Sequence, residues 1–223
     1  MRPACFIVPG RLAAEPPPAA GTCLDDRHAN ALALLIPLLG CGEEAAALAF
    51  DGLADNARDR RSAVILKQIG REERVHDALL RSLMCALPAP PDRPAMMRRA
   101  QRLHVELGSG GSAIHLARIA ALDAAVCIVL SRLLRRGRPL CADTNVWRTL
   151  GRIHSDEARH VRWSRYLALA AGPTVAQRNA AAGAREALAK VLMLAGDAFE
   201  TLDVDPFVLE RDIRRLPDGL LAP

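Results

Sequence analysis

The sequence predicts an all-α protein: a four-helix bundle with one long crossover, plus one or two extra C-terminal helices. Three observations carry this. Ala, Leu, Arg and Glu, all good helix formers, dominate a chain whose aromatic content is only 3%, and no long stretch alternates with period two. Apolar residues recur at helical spacing in segments bounded by Gly and Pro. The first and second bundle helices, and the third and fourth, are joined by short connections, whereas a much longer segment separates the two pairs.

In order, residues 1–26 are rich in Pro, Gly and Ala and read as an extended N-terminal arm. A first helix spans about 27–57, with Leu32, Leu35, Leu39, Ala46, Phe50 and Leu53 on one side; Pro37 and Gly40 predict a kink or a late start. Asp25 and His28 mark its beginning. A second helix, about 60–87, stops before Pro88. The crossover holds a short helical piece, about 94–107. The third bundle helix, about 112–136, is apolar on nearly every side and reads as buried. The fourth, about 145–171, ends at Gly172-Pro173. A further helix over 175–202 and a short one over 206–216 follow. The expected organisation is a bundle over 27–171, with 172–223 a helical extension of the same domain.

With 223 residues, the chain can bury a substantial single core. Its net charge of +5 comes almost entirely from arginine, since Lys67 and Lys190 are the only lysines. Basic runs such as 58–61 and 132–138 read as solvated helix ends, so nucleic acid is not the favoured partner. The six cysteines show no C-x-x-C pair, which suits reduced thiols and a cytoplasmic location. Residues 1–10 are too little apolar for a signal peptide, and the uncharged run over 29–42 is too short to span a bilayer.

The chemistry lies in a repeated motif. Glu73 and His76 share the middle of the second helix, and Glu157 and His160 the middle of the fourth. On a helix, residues three apart lie about 60° apart on one face and about 4.5 Å apart along the axis. Each pair can therefore offer a carboxylate and an imidazole to one centre. Asp123 is the only acid of the third helix and shares a face with Leu116, Ile119, Val126 and Leu130. In the first helix Glu43 continues the apolar face of Leu39, Ile36 and Phe50, whereas Glu44 continues a wetter one with Asp51 and Asp55. Four inward carboxylates without compensation are strongly destabilising. Two divalent cations balance them, and carboxylates with two imidazoles suit iron or manganese. The predicted metal ligands are Glu43, Glu73, His76, Asp123, Glu157 and His160.

Across about 27–171 this pattern resembles the ferritin-like di-iron carboxylate superfamily. Gly42-Glu43 with Phe50 resembles the first-helix motif of rubrerythrins and aldehyde-deformylating oxygenases, where a tyrosine often follows. Asp156-Glu157-Ala158-Arg159-His160-Val161 resembles the fourth-helix motif of ferritin-like oxygenases. The resemblance implies two iron ions, with manganese admitted at one site. It also implies that Glu73 and Glu157 bridge the metals, with Glu43 and His76 on one and Asp123 and His160 on the other. Two departures stand out: the family's third-helix ligand is normally Glu where this chain has Asp123, and Phe50 lacks a hydroxyl.

The activity implied is an O₂-dependent di-iron oxygenase or oxidase on a small or carrier-bound metabolite, with an external electron donor. A homodimer is compatible with this, and no membrane is expected. The alternatives are a ferroxidase or iron-storage protein and a tRNA-modifying di-iron hydroxylase. No rubredoxin-type cysteine module is present, and the apolar third helix is unlike a cage ferritin's acid-rich inner surface. His154, Glu44 and His115 are further candidates, as extra ligands or as donors behind the ligands. Phe50 and Cys127 are expected to line the pocket.

Overall fold

The computed structural model describes residues 21–170, 172 and 174–216, and these are all helix, turn and loop with no strand. α1 (Asp26–Asp55) and α2 (Arg60–Met84) form one hairpin, and α4 (Ser112–Leu133) and α5 (Thr144–Leu169) form the other. Between them the crossover carries α3 (Pro94–Leu107). After α5 come α6 (Val175–Leu192), α7 (Gly196–Thr201) and α8 (Pro206–Arg214). This is a ferritin-like helical bundle with extra C-terminal helices. Of the arm expected over 1–26, residues 1–20 lie outside the described residues.

Local chemistry sets the helix starts. Asp25 accepts from the His28 N–H at the start of α1, and Asp59 accepts from the Ser62 N–H at the start of α2. Asp143 accepts from the Asn145 and Val146 N–H groups at the start of α5. It also receives the Thr22 hydroxyl and the Cys23 N–H, tying the segment before α1 to the second hairpin. Thr174 and Gln177 form a reciprocal capping box on α6, and Gln177 donates back to the Ala168 carbonyl at the end of α5. Gly172, the expected stop after α5, has φ 84°, a left-handed conformation that favours glycine.

Two expectations need correction. α1 has no late start; it begins at Asp26 and continues through Pro37. Tertiary burial of its apolar residues, from Ala29 to Ala54, outweighs the local penalty of that proline. The single helix expected over 175–202 is broken by a 3-10 turn over Met193–Ala195. The next residue, Gly196, starts α7 beside Pro206, whose Cβ would stand 3.6 Å from any Cβ added to Gly196. Redirected there, α7 packs against α1.

The core is divided lengthwise. One apolar cluster gathers Leu35, Leu80, Leu130, Leu150 and Ile153; the other gathers Phe50, Leu53, Ile69, Ile119 and Ala168. On each helix of the two hairpins the buried acid falls at the boundary. Glu43 precedes Phe50, Glu73 and His76 lie between Ile69 and Leu80, Asp123 follows Ile119, and Glu157 and His160 separate Ile153 from Ala168. The polar centre is thus walled by apolar packing at both ends.

α1 and α4 are long and apolar enough to cross a membrane by length and composition alone. In the fold, 61% and 56% of their most apolar windows are buried inside the protein, and each turns a buried acid, Glu43 or Asp123, inward. α1 packs chiefly on α2, while α4 packs on α5 and α6.

Candidate metal centre

The six carboxylates and imidazoles predicted from the sequence are all buried: Glu43, Glu73, His76, Asp123, Glu157 and His160. Four of them, Glu73, His76, Glu157 and His160, each place one ligand atom within 4.8 Å of the others. Both imidazoles turn Nδ1 toward this centre. His76 Nδ1 lies 3.3 Å from oxygens of Glu43, Glu73 and Glu157. His160 Nδ1 lies 2.9 Å from Glu73 Oε1 and 3.6 Å from Glu157 Oε1.

The opposite ring nitrogens are held from behind, and the two motifs hold each other. His76 Nε2 is 3.1 Å from Asp156 Oδ2, and His160 Nε2 is 2.8 Å from Glu72 Oε2. The acid that precedes each motif glutamate therefore grips the histidine of the other helix. Arg159 donates to both acids, at 3.0 Å to Glu72 and 2.8 Å to Asp156, closing the network. Sequence reasoning missed this role for Glu72 and Asp156. The signal was present, because both motifs read acid-Glu-x-x-His.

Burial and charge shift the protonation of the cluster. Burial opposes a charged imidazole, but the carboxylates of Glu157, Glu43 and Glu73 push His76 well up. Against the same opposition, Glu157 and Glu73 carry His160 up to about 11. Glu73 is held down to about 2: burial works against ionisation, and the His160 and His76 contacts overcome it. Glu43 is pushed well above the usual carboxylate range by burial, with the charges of Glu157 and Glu73 adding. Asp123 is raised in the same way, by burial and then by Glu157 and Glu73.

Several of these atoms lack a partner. Both oxygens of Glu73, Oε1 of Glu157, Nδ1 of His160 and Oδ2 of Asp123 are buried without a hydrogen bond. The close Glu73–His160 approach is misaligned for one, so these groups face a common space instead of satisfying each other. Orphaned buried donors and acceptors are costly. Carboxylate oxygens and imidazole nitrogens are the ligand set of divalent iron and manganese. The cluster therefore fits a di-iron or dimanganese cofactor. Of the arginines near Asp123, Arg118 donates to the Leu107 and Ser109 carbonyls and Arg159 to Glu72 and Asp156.

No family model, characterised protein or solved structure matches the chain. The likeness to ferritin-like di-iron proteins stands on the two Glu-x-x-His motifs and the cluster they form across α2 and α5.

A cavity of about 100 Å³ adjoins the centre. Glu43, Glu73, Asp123 and Glu157 line it together with mostly apolar residues of α1, α3, α4 and α6. His115, a candidate from sequence, lines it, and so does His104, which sequence reasoning did not single out. Burial lowers both imidazoles, His104 to about 4, and Arg118 adds to the effect at His115. Any Cβ at Gly42 would lie 3.9 Å from the His104 ring, which places that imidazole beside the backbone next to Glu43.

Phe50 and Cys127 are not among the lining residues. Phe50 sits instead edge-on to His160, with ring centroids 6.5 Å apart. The Cys127 thiol is half-buried and pushed up to about 12 by burial and then by the charges of Glu157 and Asp123. Glu44 and His154 are half-buried, and neither joins the hydrogen bonds or ion pairs of the cluster among the described residues.

Proposed function

We propose that this protein is an O₂-dependent non-haem di-iron oxidase or oxygenase acting on a small or carrier-bound metabolite, fed by an external electron donor. The supporting observation is the largely apolar cavity that Glu43, Glu73, Asp123 and Glu157 also line. A centre that only oxidised iron would need a polar route for cations; this one abuts space suited to an organic molecule.

In this reading Glu43, Glu73, His76, Asp123, Glu157 and His160 would hold two metal ions. The metals supply the binding and reduction of O₂. The chain's own residues do the rest. Glu72 and Asp156 fix the two imidazoles in orientation and keep Nδ1 turned inward. The apolar clusters on either side exclude water, and the cavity walls hold the substrate beside the carboxylates.

Anaerobic iron loading followed by O₂ exposure tests the reading. It predicts about two metals per chain and an optical change on O₂ addition, in a monomer or small oligomer. A chain with no iron uptake overturns the metal centre. A large cage assembly by size-exclusion chromatography favours the ferroxidase alternative. Turnover that depends on added tRNA favours the hydroxylase.

A further inference from the structure

Outside the metal centre, a basic concavity lies between α3 and α6. It is a groove of about 600 Å³ bordered by Arg98, Arg99, Arg102 and Lys190, with Glu106 and Glu186 as its acids. Glu186 is engaged by Lys190 at 2.7 Å and by Arg214 at 3.9 Å. None of the ion pairs among the described residues involves Arg98, Arg99 or Arg102, and all three are exposed. Three guanidiniums on two successive turns of one helix, left without carboxylate partners, form a site for a multiply charged anion.

This groove and the cavity at the metal centre share a wall. Leu103 and Val191 line both, so their side chains form the partition between the basic groove and the apolar interior. A molecule crossing that partition meets guanidiniums at one end and the carboxylate cluster at the other. We infer that the substrate is an amphiphile whose anionic, phosphate-type head is held by Arg98, Arg99, Arg102 and Lys190 while its slender apolar tail passes Leu103 and Val191 into the cavity. This rests on the proposed oxidative function only for the fate of the tail; the binding itself does not require metal.

Size limits the tail. A cavity near 150 Å³ accommodates benzene, and this one is about 100 Å³. Only the end of an unbranched tail therefore fits inside, the carbons nearer the head lying between Leu103 and Val191, and a fused ring system does not fit. His104 and His115 on the cavity wall are held neutral by burial, so they can hydrogen-bond a polar atom of the tail without adding charge.

Calorimetric titration of the full chain with hexyl phosphate, hexanol and inorganic phosphate provides the test. Hexyl phosphate should bind at least tenfold more tightly than either of the other two, and raising the salt should weaken it but not hexanol. The double variant Arg99→Glu, Arg102→Glu should lose at least tenfold for hexyl phosphate and leave hexanol unchanged. Ala46→Phe, which fills the cavity, should remove the advantage of the hexyl tail, with circular dichroism confirming that each variant stays helical. Equal binding of hexyl phosphate and hexanol, or of hexyl phosphate and inorganic phosphate, overturns the inference, as does an unaffected arginine variant. A protein that takes up iron and consumes O₂ but ignores hexyl phosphate refutes this inference alone. One that binds hexyl phosphate but no iron refutes the oxidative reading alone.

Discussion

Glu72 of α2 and His160 of α5 meet at 2.8 Å, while Asp156 of α5 meets His76 of α2 at 3.1 Å. Each helix thus positions the other's imidazole, and α2 and α5 are locked in one relative register. His160 and His76 are fully buried, with ring centroids 5.6 Å apart, so neither ring can turn without breaking a contact to an acid. Both acids are held ionised. Burial opposes this, but Gln68, His160 and Arg159 lower Glu72, and His76 and Arg159 lower Asp156.

Removing those charges isolates the positioning role. Glu72→Gln and Asp156→Asn keep the shape and lose the anion behind the ring. Each should weaken metal binding by about 10–100-fold while leaving helix content unchanged. Competition with a chromophoric chelator measures this, and wild-type affinity in both variants removes the role assigned here.

The histidines themselves are expected to differ in importance. His76→Ala and His160→Ala should each lose about one metal per chain and abolish O₂-dependent turnover, because each imidazole serves one of two sites. His154→Ala should retain both metals, since His154 takes no part in the cluster's ion pairs. Metal analysis of the three purified variants decides between them, and a His154 variant as depleted as His160→Ala adds a seventh ligand.

Much of this was legible in the sequence because it depends on local spacing. The Glu73–His76 and Glu157–His160 pairs, the inward choice of Glu43 over Glu44, and the isolation of Asp123 in an apolar helix all follow from helical geometry. The gripping of His76 by Asp156 was not legible, because it depends on how α2 and α5 face each other. His104 was hidden for a related reason, being carried by the crossover helix α3, outside the two hairpins. Phe50 was misplaced because seven residues advance a helix by about 10.5 Å. That moves its ring past the centre and into the second apolar cluster, against His160. Cys127 follows Asp123 by four residues, whereas Val126, three on, is the one that lines the cavity.

Protonation gives a pH signature. His76 and His160 have folded-state values raised above 6.5, so their stabilising contribution is complete below 6.5 and is lost as pH rises, toward about 11 for His160. Glu43 and Asp123 are also raised, so ionising them above the ordinary carboxylate range costs the fold stability. Both effects make the chelator-treated protein less stable as pH rises above the ordinary values of these groups. Glu73, held down to about 2, works the other way, as do the lowered Glu72 and Asp156, and their contribution is lost only in acid. Metal ions replace those protons, so loading at neutral pH should release protons to an indicator dye and bind more tightly as pH rises. Melting curves with chelator and with metal should diverge as pH increases; parallel curves contradict this assignment.

Asp123 gives the sharpest test of the ligand set. Its Oδ2 is buried without a partner, and burial with the charges of Glu157 and Glu73 pushes its carboxyl upward. An acid so placed contributes nothing to a metal-free fold and has a clear role beside a cation. Asp123→Ala should therefore lose metal while the chelator-treated variant melts no lower than wild type, because repulsion among the remaining carboxylates is relieved. Asp123→Glu should keep metal but change the reaction with O₂, since one more methylene lets both oxygens reach a single ion. A structural acid behaves in the opposite way, with normal metal content and a lowered melting temperature in Asp123→Ala. Arg118 and Arg159 are committed elsewhere, to the Leu107 and Ser109 carbonyls and to Glu72 and Asp156, so neither is released by the substitution. Metal content and melting temperature of this one variant separate the two outcomes, and full metal occupancy rules Asp123 out as a ligand.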